Sequence, residues 1–183
     1  MRVLVTGATG AVGRHLVPML VAAGHEVTAT TKTPGKAAQL REAGAAAAVV
    51  DGLDRAAVTA AVRAAAPDVI VHEMTALTEM RNLRNVDRVF AATNELRVRG
   101  TDNLLAAAAE AGTRRVVAQG YTGWPNERSG GPVKTEADPL DSRVVPSAAR
   151  TLAAIRHVEE AVPRTAPEGI VLRYGSGRLA GHA

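Results

Sequence analysis

The chain begins MRVLVTGATGAVGRHLV, residues 1–17, and this stretch decides how the rest is read. A short apolar run at residues 3–6 breaks into glycines at positions 7, 10 and 13. The run reads as a strand covered on both faces, and helical spacing takes over from residue 11, so the glycines fall in a strand-to-helix turn. In that setting Gly7 permits the tight turn, Gly10 lets backbone approach a pyrophosphate, and Gly13 allows close helix–strand packing. Thr9, Ala11 and Val12 complete a loop whose N–H groups and helix dipole favour phosphate. Alone, three glycines also suit an ordinary tight turn.

Working outward, β-branched runs alternate with Ala-rich segments. Strands are expected at 3–6, 26–30, 47–50, 69–72, 115–119 and 170–173, with helices at 11–23, 34–43, 54–65, 86–111 and 147–161. Pro18 predicts a kink or a shorter first helix. This alternation predicts an α/β fold: a doubly wound, Rossmann-type parallel sheet of about six strands in order 3-2-1-4-5-6, flanked by helices. Residues 1–173 are expected to form one dinucleotide-binding domain, leaving a Gly-rich tail at 174–183.

Composition narrows the function. At 183 residues, 46% hydrophobic and 22% charged, the chain can bury one core. The net charge of +4 is spread among carboxylates, and only 2% of residues are aromatic, which disfavours nucleic-acid binding. There is no cysteine, so disulfide and thiolate chemistry are excluded. No apolar run is long enough for a signal peptide or a membrane span, and a cytoplasmic protein without a membrane partner is expected. No metal site is expected.

Three further stretches join the glycine loop: Asp51-Gly52-Leu53-Asp54, Val69-Ile70-Val71-His72-Glu73-Met74-Thr75, and Asn94 followed by Gly100-Thr101-Asp102-Asn103-Leu104-Leu105. With TGATGAVG, this ordered set resembles the extended and atypical short-chain dehydrogenase/reductases, including epimerase-like and NmrA-like members, over nearly the whole chain. The matched patterns are D-x-x-D, V-I-H-x-A-A, N-x-x-G-T-x-N-L-L and a V-x-L-R strand at 169–173. The resemblance implies that Asp51, Gly52, Leu53, His72, Glu73, Met74 and Asn94 join the glycine loop around a nicotinamide dinucleotide. Bland alternatives stay open: a helix cap for the aspartates, a satisfied strand-end histidine, and a local hydrogen bond for Asn94.

Thr30-Thr31-Lys32-Thr33 ends the second strand without an acid for a ribose diol. Thr31 and Lys32 suit a 2′-phosphate, so NADP(H) is preferred, with NAD(H) possible. Lys32 as a solvated loop cation is the alternative.

The chemistry departs from the pattern. Family enzymes pair a Ser/Thr after strand five with a Tyr-x-x-x-Lys helix that supplies a proton. Here Gly120, Thr151 and Ile155 stand at the Ser, Tyr and Lys positions, and no tyrosine has lysine four residues later. Tyr121, Thr122 and Thr151 are the candidate replacement hydroxyls. The resemblance implies a smaller C-terminal substrate domain, which the ten Gly-rich residues at 174–183 are not expected to build. The expectation is therefore an NADP(H)-binding oxidoreductase or epimerase-like protein with degenerate catalytic residues and an unknown small-molecule substrate. The alternative is a catalytically silent dinucleotide-binding sensor or scaffold. The Ala- and Leu-rich helices at 86–111 and 147–161 predict a homodimer.

Overall fold

The computed structural model describes residues 1–77, 85–122, 126–127, 129–131, 133–143 and 145–175. Six parallel strands form one sheet in the order β3-β2-β1-β4-β5-β6. They are β1 (Arg2–Thr6), β2 (Glu26–Thr31), β3 (Ala46–Val49), β4 (Val69–His72), β5 (Arg115–Tyr121) and β6 (Glu168–Tyr174). The helices are α1 (Gly13–Ala22), α2 (Ala37–Glu42), α3 (Arg55–Ala65), α4 (Val86–Val89), α5 (Ala91–Glu95), α6 (Thr101–Glu110) and α7 (Ala149–Thr165).

Both faces of the sheet are packed, which is why its central strands read as continuous apolar runs. One layer joins Val3, Val5, Val27 and Ala29 to Val17 of α1 and Leu40 of α2. The other joins Leu4, Ile70 and Val116 to Val58 and Val62 of α3, Leu104 of α6 and Val158 and Val162 of α7. Strand order reverses between β1 and β4, so the loops after these strands diverge and leave a crevice at their C-terminal ends.

Most boundaries shift by a few residues from expectation, and four of the differences have a clear physical reason or consequence. Helix α1 runs through Pro18 but covers only Gly13–Ala22, the shorter of the two outcomes proline allows. Strand β5 extends two residues further, which puts Tyr121 on the strand beside Tyr174 rather than in a loop. Helix α7 continues through Pro163 to Thr165 because its apolar stripe still meets β5 and β6. The helix expected at 86–111 is broken into α4, α5, a π-turn over Leu96–Gly100, and α6. A π-turn inserts a residue and rotates what precedes it, a distortion hidden from simple periodicity.

Candidate active site in the crevice at the strand ends

A cleft of about 560 Å³ opens at the crevice. The glycine loop forms its floor through Gly7, Thr9, Gly10 and Ala11. The three glycines are used differently. Gly7 has φ +71°, and a Cβ there would overlap the Glu73 carbonyl. At Gly13 a Cβ would lie 2.6 Å from Ala8 Cα. Both therefore allow backbone to touch backbone. At Gly10 the nearest atom is the Gly7 carbonyl oxygen at 3.1 Å, so the missing side chain leaves open space on the cleft side.

The β2–β3 side of the cleft carries Thr31, Lys32, Thr33, Lys36, Asp51, Gly52 and Leu53. Lys32 Nζ lies 2.8 Å from Asp51 Oδ2, and Leu53 donates its N–H to Asp51 Oδ1 at 3.0 Å. The Lys32 hydrogen bond, the Leu53 N–H and the lysine charge hold the Asp51 carboxyl below its ordinary range. Asp54 instead caps α3, accepting the Ala57 N–H at 3.0 Å. Thr31 Oγ1 meets Thr9 Oγ1 at 3.3 Å and accepts the Thr33 N–H at 3.2 Å, tying this side to the glycine loop.

The opposite side is lined by Glu73, Met74, Thr75, Ala76 and Leu77. Glu73 is 5% exposed; its Oε1 accepts the Tyr174 hydroxyl at 3.0 Å, while Oε2 is buried with no hydrogen-bond partner among the described residues. Burial pushes the Glu73 carboxyl up, opposed by the Tyr174 hydrogen bond. Burial and the Glu73 charge push the Tyr174 phenol up to about 12, so it remains a donor.

His72 lies beneath the cleft rather than in its wall. Its Nδ1 takes the Met74 N–H at 3.4 Å, which leaves Nε2 to donate to Thr101 Oγ1 at 2.9 Å. Burial first, and the Arg97 charge second, push the His72 imidazole down to about 4, so it is neutral. Val12 and Gly13 begin α1 behind the floor, and neither they nor His72 and Asn94 line the cleft.

Asn94 Nδ2 donates to Thr151 Oγ1 at 2.9 Å, and that hydroxyl donates to Asp87 Oδ1 at 2.7 Å. Asp87 also accepts the Arg150 and Thr151 backbone N–H groups at the start of α7. Burial opposes the effect, but these hydrogen bonds hold the Asp87 carboxyl below its ordinary range. Thr151 is 1% exposed and Ile155 is 2% exposed, both packed in the interior. A Cβ at Gly120 would meet Val171 Cγ1 at 2.8 Å, facing β6. Thr122 Oγ1 donates to Asn126 Oδ1 at 2.8 Å. The three candidate hydroxyls are therefore spread over β5, the residue after it and the interior of α7.

Two participants escape a reading of the sequence. Tyr174 belongs to β6 yet reaches Glu73 across the strand ends. Arg97, on the π-turn, is a buried guanidinium whose Nη1 has no partner among the described residues; burial pushes it down to about 10, opposed by its electrostatic interaction with Tyr121. Counting back from Gly100-Thr101, Arg97 occupies the asparagine position of N-x-x-G-T, while Asn94 sits a turn earlier. That spacing was the available signal. Among the described residues, no three His, Cys, Asp or Glu side chains gather as metal ligands, and no helix is long and apolar enough to cross a membrane.

Comparison with known proteins agrees with this geometry. The model of the NAD dependent epimerase/dehydratase family matches residues 3–177. A 3-diazoavenalumate denitrifying reductase from Streptomyces sp is 41% identical over 177 residues, 96% of this chain and 56% of that protein. The UDP-glucose 4-epimerase of Thermus thermophilus, solved in complex with NAD, has a TM-score of 0.74 at 27% identity, over 95% of this chain and 55% of that one. A Stenotrophomonas maltophila UDP-glucose-4-epimerase shares the fold at TM-score 0.71 and 22% identity, over 95% of this chain and 52% of that one. The chain thus spans little more than half the length of these relatives. With the glycine loop, the strand order and the family match in agreement, the chain belongs to the NAD dependent epimerase/dehydratase family, within the extended short-chain dehydrogenase/reductases.

Proposed function

We propose that this chain binds a nicotinamide dinucleotide, NADP(H) in preference to NAD(H), and serves an oxidoreductase that delivers a hydride to a small molecule. The observation that carries the reading is the bare cleft face of Gly10 between the two walls, a cradle that a side chain would fill. Gly7, Thr9, Gly10 and Ala11 would hold the pyrophosphate. Thr31 and Lys32 would hold the adenosine ribose and its 2′-phosphate, with Asp51, Gly52 and Leu53 beside the adenine. The wall at Glu73, Met74 and Thr75 remains for the nicotinamide half. When bound in its reduced form, that group supplies a hydride.

The proton side of carbonyl chemistry is poorly provided. Thr151 spends its hydroxyl on Asp87 and Asn94, and Ile155 is core. The Streptomyces relative's name specifies removal of nitrogen from a diazo compound. Such a reaction suits this arrangement: an aryl diazonium accepts a hydride and loses dinitrogen, with no proton required from the protein. A diazonium-type or similarly electron-poor acceptor is therefore favoured over a sugar nucleotide. The buried Thr151 and Ile155 also favour a second reading, a silent dinucleotide sensor. A homodimer through the helices at 86–111 and 147–161 would cover the groove lined by Ala149, Leu152, Ala153, Arg156, His157 and Glu160, and light scattering at micromolar concentration tests it.

The deciding experiment titrates the purified chain with NADPH and NADH, then follows NADPH consumption with aldehydes, ketones and a carboxylated benzenediazonium salt. The expected result is NADPH binding, slow or no carbonyl reduction, and diazonium-dependent NADPH loss above a Gly10→Val control. Binding without consumption of any acceptor selects the sensor. No binding of either cofactor overturns both readings.

A further inference from the structure

Glu73 is an expensive residue to bury. A carboxylate is acceptor-only, and one oxygen here has a single donor, Tyr174, while Oε2 is sealed from solvent without a partner among the described residues. Buried polar atoms in folded proteins are nearly always satisfied, so an uncompensated carboxylate in a residue that lines the cleft points to a ligand whose charge offsets it through space, Oε2 itself presenting no surface to the cleft. The neighbouring groups do not neutralise it. His72 is neutral and engaged with Met74 and Thr101, Tyr174 stays protonated, and Arg97 presses its charge on His72 and Tyr121. Among the described residues no cation pairs with Glu73.

Its location decides what that ligand group is. The cleft runs from Lys32 and Asp51 past the glycine loop to Glu73, and the two halves of a dinucleotide straddle that loop. With adenosine at the β2–β3 wall, Glu73 borders the nicotinamide half. This step rests on the dinucleotide reading above. We propose that Glu73 is a redox-selecting carboxylate, a fixed negative charge that favours the oxidised, cationic nicotinamide over the neutral reduced ring. Hydride donation moves both electrons of a C–H bond to the acceptor, which is thereby reduced, and leaves the ring one unit more positive. A fixed anion beside the ring stabilises that change as it develops. Glu73 thus makes the bound reduced cofactor a stronger hydride donor, and Tyr174 positions the carboxylate.

The test is equilibrium binding of NADP⁺, NADPH and 2′,5′-ADP, which carries the adenosine half alone, to wild type, Glu73→Gln and Tyr174→Phe between pH 5 and 9. At pH 8, Glu73→Gln should weaken NADP⁺ relative to NADPH by roughly tenfold, the scale of one partly screened charge contact, and leave 2′,5′-ADP unchanged. As pH falls through the raised Glu73 pKa, the wild-type ratio should move to that of the variant. In Tyr174→Phe this transition should lie at higher pH, because the lost hydrogen bond favours the ionised form. Equal NADP⁺/NADPH ratios in wild type and Glu73→Gln, or equal losses for both redox forms, overturn the proposal. Loss of 2′,5′-ADP binding by folded wild type instead removes the dinucleotide reading on which it stands. Should Glu73→Gln not fold, a wild-type ratio independent of pH overturns the proposal by itself.

Discussion

The β1–β3 half of the crevice and the β4–β6 half share one topology but are built from different materials. On the first side the work is done by backbone: Gly7 and Gly13 let chain touch chain, and Gly10 leaves open space on the cleft side. On the second it is done by buried polar side chains: His72, Glu73, Asn94, Arg97 and Thr151. Backbone sites tolerate little change in the chain that forms them, whereas a side-chain network can be rewired while the fold persists. The family match spans both sides, residues 3–177, so the fold persists across this difference in material.

The largest expected effect breaks the backbone side. Gly7→Ala would force a Cβ into the Glu73 backbone at a φ that L residues rarely adopt, and we expect it to cost more than about 3 kcal/mol of stability. Gly10→Ala, whose Cβ meets only the Gly7 carbonyl, should cost less than about 1 kcal/mol. Urea denaturation of the two variants checks this; equal losses would remove the distinction between a packing glycine and a ligand glycine.

The next effect belongs to the side-chain half. The His72 pKa of about 4 in the fold lies below its unfolded value of 6.5, so the unfolded chain takes up a proton first as pH falls. The contribution is whole above pH 6.5 and is lost on descending through 6.5 toward 4, amounting to about 3 kcal/mol. Glu73 has the opposite sign: burial raises its pKa, so its cost appears as pH rises above the unfolded value of 4.5. Denaturation curves from pH 4 to 8 should show a steep acid limb that is absent in His72→Gln. An unchanged limb in that variant would place the acid sensitivity elsewhere.

These contrasts explain what could be read in advance. The strand order, the packed faces and the glycine loop follow from periodicity and from residues with unusual backbone freedom, so residues 1–17 carried most of the fold. The π-turn did not announce itself, because one inserted residue leaves Leu, Val and Gly at plausible helical positions. Its consequence, Arg97 in place of an asparagine, was visible only as an odd spacing between Asn94 and Gly100. Tyr174 was hidden for another reason: it meets Glu73 from 101 residues away, a contact that no local pattern encodes.

For ligand binding, Gly10→Val should leave a folded protein yet weaken NADPH by more than about 100-fold, since a branched side chain would occupy the pyrophosphate position. Fluorescence titration alongside circular dichroism checks it, and unchanged affinity in the folded variant would remove the phosphate-cradle reading altogether.

The smallest effect sharpens the comparison, because it concerns a side chain on the backbone-built side. Lys32 is 73% exposed and already paired with Asp51, so its attraction for a 2′-phosphate is screened by solvent and shared with a carboxylate. We therefore expect Lys32→Ala to weaken NADPH by only about three- to tenfold and NADH hardly at all. Asp51→Asn supplies the reciprocal measurement. Removing the carboxylate that holds Lys32 frees the ammonium for phosphate and removes a nearby like charge, so NADPH should tighten while NADH does not. Both preferences should fade as salt is raised. If Lys32→Ala weakens NADPH and NADH equally, and Asp51→Asn leaves their ratio unchanged, the Lys32–Asp51 pair is a surface contact that reads no phosphate. The β2–β3 wall would then recognise its ligand through backbone and hydroxyl groups alone.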